Sequence, residues 1–311
     1  MDTSPGWQTV RSRSGSVGLI GAPSSAGAYA PGQERAPAAL RARGLADRLD
    51  AHGCEVRDHG DIAGFRWRPD RARPFAQNLE AVSATASAVA DRVSEVVAEG
   101  QLAVVIGGDC TVGVGTFAGA VAAGYEQAGL IYFDLHADLN TPGSVPDGAL
   151  DWMGIAHMLN VDDAEPLLAG IGARTPLLQP ESLALYGFRA DQATEAERER
   201  IRRLGLEVVP FEEVAADPRA SAGRALASLG QRCEPLLVHF DVDVVDFTDA
   251  PLSENTGRNV GLTLEQALAA LGVFLSSEQV RALTITELNP DHCEADGATL
   301  ERFVNGLAAA F

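Results

Sequence analysis

The sequence predicts an α/β protein with three layers, α/β/α, around a mostly parallel central sheet, and three observations predict it. Short apolar runs alternate with longer helical patterns along the chain, the order expected of strands joined by crossover helices. Several runs are unbroken, AVVI at 103–106 and PLLVHF at 235–240 among them, as suits parallel strands buried on both faces. Acidic clusters follow three of these runs directly, at the strand ends where open α/β sheets hold their ligands.

Taken in order, strands are expected at 17–21, 55–58, 102–106, 129–133, 167–172, 183–186, 207–209, 236–240 and 280–286. Helical patterns fall at 36–52, 75–99, 111–123, 195–204, 218–229, 263–274 and 298–310, with Asp296 or Thr299 placed to cap the last. A polar stretch over 1–16 is expected to be a disordered tail, leaving 17–311 as a single domain without repeat or linker. The Arg- and Pro-rich segment 61–74 and the Gly- and Pro-rich segment 141–151 are expected to be loops.

With 311 residues, 46% of them hydrophobic, the chain can bury one large core. Its 22% charged residues and mean hydropathy of +0.01 argue against disorder. The net charge is -19 and the sequence pI about 4.6, and every basic side chain other than histidine is arginine. Such a surface repels phosphate backbones, so no nucleic-acid partner is expected; its field favours cations, whether metal or guanidinium. Cys54, Cys110, Cys233 and Cys293 form no CxxC pair, which suits reduced thiols rather than a disulfide framework. No signal peptide is visible, and no apolar run approaches the roughly 18 residues of a membrane span. The expectation is a soluble, cytoplasmic protein with no membrane partner.

The chemistry sits in the clusters. Gly107-Gly108-Asp109-Cys110 follows LAVVI, Asp134-Leu135-His136-Ala137-Asp138 follows LIYF, and Asp241-Val242-Asp243-Val244-Val245-Asp246 follows LLVHF; Glu287 follows LTIT. If strand geometry persists, residues two apart project to one side, so Asp134, His136 and Asp138 converge, as do Asp241 and Asp243. Facing carboxylates repel one another unless a cation lies between them. Four carboxylates and one imidazole make a hard, oxygen-rich environment that suits manganese, and two ions neutralise it better than one. Each piece alone has a plainer reading: DxH or DxD as a turn, Gly107-Gly108 as a tight bend, Asp109 as a solvated or capping residue, Asp246 as the brace of its own loop. Three clusters after three buried strands favour the metal site.

Together GGDC, DLHAD and FDVDVVD resemble the signature of the ureohydrolases, the superfamily of arginase, agmatinase, guanidinobutyrase and formimidoylglutamase, whose pattern runs GGDH, DAHxD and SxDxDxxDP. DLNTP at 138–142 and ELNP at 287–290 extend the similarity and are closer to arginase than to agmatinase. The resemblance implies an arginase-like fold and two manganese ions, bridged by Asp134 and Asp241. Cys110 and Asp138 would complete one ion, and His136 and Asp243 the other. It further implies attack of an activated water on the guanidinium carbon, with Asp138 moving the proton and Glu287 pairing with the guanidinium. A trimer or hexamer is implied in the same way.

The chain departs from the pattern at three places. Cys110 stands where the family usually has histidine; a thiolate remains a competent though softer ligand, whereas a buried inert thiol would leave one ion weakly held. Cysteine there is similar to a biosynthetic branch resembling N-hydroxyarginine hydrolases, which points to an N-hydroxylated guanidine. Asp151, followed by Trp152, takes the place of the proton-carrying histidine. It is open to three roles: cap of a helix over 153–159, proton carrier if burial raises its pKa, or grip on a cationic part of the substrate. His157 on that helix is expected to be structural. Asn140 matches the loop that holds the α-amino and α-carboxylate groups in arginases, but the next polar places resemble Val145 and Asp147. IGARTPL at 171–177 lacks the acidic residues expected after its arginine, which argues against free L-arginine. Two other readings remain open. Cys110 could be the nucleophile of a metal-independent amidine hydrolase with His136 or His239 as base, or the chain could be a non-catalytic guanidine-binding regulator.

Overall fold

The computed structural model describes residues 15–311. The predicted tail lies outside the described residues apart from Gly15 and Ser16, and Ser16 already opens the first strand. In chain order the elements are β1 (Ser16–Gly21), α1 (Ala36–Ala42), α2 (Leu45–Ala51), β2 (Glu55–Asp61), α3 (Leu79–Ala98), β3 (Leu102–Ile106), α4 (Val112–Ala122) and β4 (Gly129–Phe133). There follow α5 (Gly154–Met158), α6 (Pro166–Ala169), β5 (Leu183–Phe188), α7 (Glu195–Leu204), β6 (Glu207–Pro210), α8 (Phe211–Ala216) and α9 (Pro218–Gly230). The last are β7 (Leu236–Asp241), α10 (Leu264–Ser276), β8 (Val280–Thr286) and α11 (Ala298–Ala309).

The strands form one eight-stranded sheet in the order β2-β1-β3-β8-β7-β4-β5-β6, parallel throughout. Period-two geometry sends Leu102, Val104 and Ile106 of β3 into one core and Ala103 and Val105 into the other. Helices α1, α2 and α8–α11 cover the first face and α3–α7 the second. Because both faces are covered, β3 and β4 carry no polar alternation.

Local chemistry sets the boundaries. Thr194 and Thr263 each begin a helix with a capping box, closed by Glu197 and Gln266. The helix predicted over 36–52 is two helices, divided at Gly44, whose φ of 72° lies in the left-handed region. The predicted strand at 167–172 is instead the short helix α6, with Pro166 at its first position. An apolar run of that length fits either state, and proline at N1 favours helix. The sheet order matters most for the site. The strands carrying the polar clusters, β3, β8, β7 and β4, are neighbours at the centre of the sheet, about 4.8 Å apart from one to the next. Four carboxyl ends, remote in sequence, therefore open into one place.

Candidate metal centre

After β3 the chain makes a turn in which a Cβ on Gly108 would stand 1.6 Å from the Ser24 carbonyl oxygen. Asp109 accepts from the backbone N–H groups of Gly27 and Thr111, both at 3.0 Å. It is a buried brace that fixes the next residue, Cys110. The Cys110 thiol faces Asp241 Oδ2 at 2.9 Å and Thr286 Oγ1 at 3.3 Å, and its backbone N–H donates to Glu287 Oε1 at 3.0 Å.

Strand geometry does not persist through the other two clusters, so their convergence has a different cause from the alternation expected. β4 ends at Phe133, and Asp134 Oδ1 then accepts the His136 N–H at 2.6 Å. Likewise Asp241, the last residue of β7, accepts the Asp243 N–H at 2.7 Å as the chain enters a single 3-10 turn. In each case a carboxylate closes a tight turn over itself, the local bond that aspartate favours at chain reversals. Asp138 sits at φ 49°, and its carboxylate is held by the Tyr132 hydroxyl.

Two donor groups result. Asp134, His136 and Asp243 offer ligand atoms within 4.8 Å of one another, as do Cys110, Asp134, His239 and Asp241. Asp134 belongs to both. Asp138 belongs to neither group, although it lines the same cleft. His239, considered from sequence only as a base, is buried and stacks on Tyr132 at 4.3 Å between ring centres. The sequence signal for it was the one histidine inside an otherwise apolar strand.

The electrostatics test whether the group suits cations. Burial, and then the charge of Asp243, push the Asp134 carboxyl up to about 6. Burial and the neighbouring aspartates raise Asp241 and Asp138 well above the carboxylate range. Burial acts upward on Asp243 too, but the His136 imidazole, 3.2 Å from its Oδ2, holds it below the ordinary value. Asp134 Oδ2 and Asp243 Oδ1 are buried with no hydrogen-bond partner. Each such orphan costs about 1–3 kcal/mol, and lone pairs aimed at other lone pairs suit a cation. The donor set therefore fits divalent metal.

The cleft over these residues has a volume of about 340 Å³, within the range of small-molecule sites. Besides Cys110, His136, Asp138, Asp241 and Asp243 it is lined by Glu287, Asp151, Asp147 and Trp152, and by Tyr29, Gln192, Glu197 and Asn255, which sequence reasoning missed. Among the described residues no arginine lines it. Glu287 is held by Gln33 Nε2 at 2.8 Å, and burial followed by Asp151 and Asp109 raises its pKa. Asp151 accepts the Trp152 N–H at 2.9 Å within a 3-10 turn rather than capping α5, whose N-cap is Met153. Asn140 is buried and does not line the cleft; Ser144 and Thr194 donate to its Oδ1. His157 is buried on Met153 O at 2.6 Å, and Asp246 braces its loop through Thr248, Val260 and Gly261.

Known proteins share this architecture. The model of the Arginase family matches residues 15–308. The chain belongs to the arginase family. The arginase of Bacillus caldovelox is 31% identical over 282 residues, covering 88% of this chain and 91% of its own. Human Arginase-1 is 28% identical over 289 residues, covering 90% and 87%. The solved structure of the B. caldovelox arginase superposes with a TM-score of 0.82 at 27% identity, over 94% of this chain and 96% of that one. As an arginase-family member the chain needs one sequence reading corrected. The stretch 171–177 does not reach the cleft; the segment following β5 does, through Gln192.

Proposed function

We propose that this arginase-family chain is a binuclear metal-dependent amidinohydrolase that cleaves a guanidino compound to an amine and urea, or to hydroxyurea where the guanidine is N-hydroxylated. The observation that carries the reading is the pair of buried, unpartnered carboxylate oxygens on Asp134 and Asp243, the second of which lines an acidic cleft. Asp134 belongs to both donor groups, with Cys110 and Asp241 on one side and His136 and Asp243 on the other, so these five residues, with Asp138, are the proposed surround of two ions. Manganese suits the His136 half, with its imidazole and carboxylates. When bound, paired divalent cations lower the pKa of water to about 7.

The chain's own residues then divide the remaining work. Glu287, fixed by Gln33 and the Cys110 N–H, presents a carboxylate to a planar guanidinium. Asp138, tethered by Tyr132, is placed at the cleft to hold a proton for the departing amine. Asp151 and Asp147 add negative charge at the wall, which favours a cationic substrate. The Trp152 indole N–H is buried without a partner beside the cleft and can donate to a hydroxyl oxygen, which supports an N-hydroxylated guanidine. Burial, Asp241 and Glu287 raise the Cys110 thiol, the opposite of what an activated nucleophile needs. Family resemblance supports a cytoplasmic homo-oligomer, trimer or hexamer, and an N-hydroxylated substrate would place it in secondary metabolism.

A panel of L-arginine, N-hydroxy-L-arginine and agmatine, assayed for urea and hydroxyurea with manganese added, tests this. Turnover of at least one guanidine, abolished by chelation, is expected. No turnover of any guanidine with both ions bound would favour a binding protein. Turnover that survives chelation but is lost in Cys110→Ser would favour thiol catalysis.

A further inference from the structure

We propose that His239 is a metal ligand, and that Cys110, Asp134, His239 and Asp241 form a sulfur–nitrogen–carboxylate site selective for a softer divalent ion such as zinc, beside the harder His136 site. The inference rests on the binuclear reading and assigns the ligands of one half of it. Three observations carry it. The four side chains bring their donor atoms within 4.8 Å of one another, and all four are buried. Asp138, the carboxylate that the resemblance implies for this half, is tied instead to Tyr132. The same Tyr132 ring stacks on His239 with 14° between the planes, so one side chain holds both the carboxylate and the imidazole.

The sequence changes are reciprocal. In the ureohydrolase pattern, histidine occupies the place of Cys110 and serine the place of His239, two residues before the first aspartate of SxDxD. Here the imidazole has moved from one strand end to the other strand, and the smaller side chain has taken its former place. Room for the ring is built in, because a Cβ on Gly113 would lie 2.5 Å from His239 Nδ1. Nδ1 has no hydrogen-bond partner, and Nε2 lies 3.0 Å from Thr286 Oγ1, the hydroxyl that also touches Cys110 Sγ. One sulfur, one nitrogen and two carboxylates make the four-coordinate set that zinc favours, whereas manganese favours oxygen.

The test uses the full chain, stripped by chelator and reloaded with zinc and manganese together, with ions counted by mass spectrometry and the zinc environment read by X-ray absorption. Sulfur and imidazole in the same zinc shell are expected, with manganese in the other half. His239→Asn should weaken zinc binding at least about tenfold while manganese is retained. Gly113→Ala, which displaces the ring without changing its chemistry, should act in the same direction. A zinc shell in the unaltered chain with sulfur but no imidazole would overturn the proposal, and this reading stands even where a variant does not fold. Unchanged zinc affinity in a folded His239→Asn would overturn it too. Failure of the unaltered chain to take up either metal would instead sink the hydrolase reading, and this inference with it.

Discussion

Tyr132 shows how a single side chain can set the working geometry of this site. It is buried to 2% exposure in β4, donates to Asp138 and stacks on His239. Asp138 lies outside strand geometry at φ 49°, so its backbone does not dictate where the carboxylate points; the phenol does. Tyr132→Phe keeps the ring and the stacking but removes the hydroxyl. The expected result is a fall of roughly 10–100-fold in kcat, the usual effect of losing a group that orients a reacting side chain, with metal content unchanged. Steady-state kinetics beside metal counting checks this. Loss of metal in parallel with activity would show that Tyr132 supports the ligands rather than Asp138 alone.

At the scale of elements, the turn from β3 into α4 is the tightest passage. The Cβ added by Gly108→Ala would press on the Ser24 backbone, 1.6 Å from its oxygen and 2.5 Å from its carbonyl carbon. Neither is the end of a flexible side chain, so the turn must open. A loss of about 3 kcal/mol is expected, read as a lower urea midpoint at constant slope. Gly53→Ala, at φ 91° with open space around it, should lose only about 1 kcal/mol. The elements best legible in the sequence were β3 and β4 as unbroken apolar runs, β7 as a run interrupted only by His239 before its terminal Asp241, and α7 and α10 as helical patterns. The run at 167–172 was illegible because four apolar residues carry no period. The clusters were visible as ligand-bearing strand ends, yet their convergence comes from aspartates closing turns, a contact that spacing alone cannot distinguish from strand alternation. Gln192 and Glu197 escaped because they reach the cleft from beyond β5, and only the sheet order brings that segment to the site.

For the whole molecule, the assembled acids make stability depend on pH in opposite senses with and without cations. The folded pKa of Asp134 is raised, from 3.8 to about 6. Its contribution therefore favours the fold below pH 3.8 and is lost as pH rises through about 6, a change on the order of 3 kcal/mol. Asp138, Asp241 and Glu287 are shifted in the same direction, and His136, raised by Asp243 and Asp134 against the effect of burial, also loses its contribution as pH rises. Asp243 has the opposite sign, but its pKa is lowered, so its contribution is lost only below the ordinary carboxylate range. The net charge of -19 adds self-repulsion in the same sense as the main group. The chelated protein should consequently have a higher Tm near about pH 5 than near about pH 7.5. Cations bind the ionised carboxylates and release their protons, so added manganese should raise the Tm most at the higher pH and reverse that order. Thermal melts across this range, with chelator and with manganese, check both halves. Parallel curves under the two conditions would mean that the acids relieve their repulsion without metal, by turning outward to solvent.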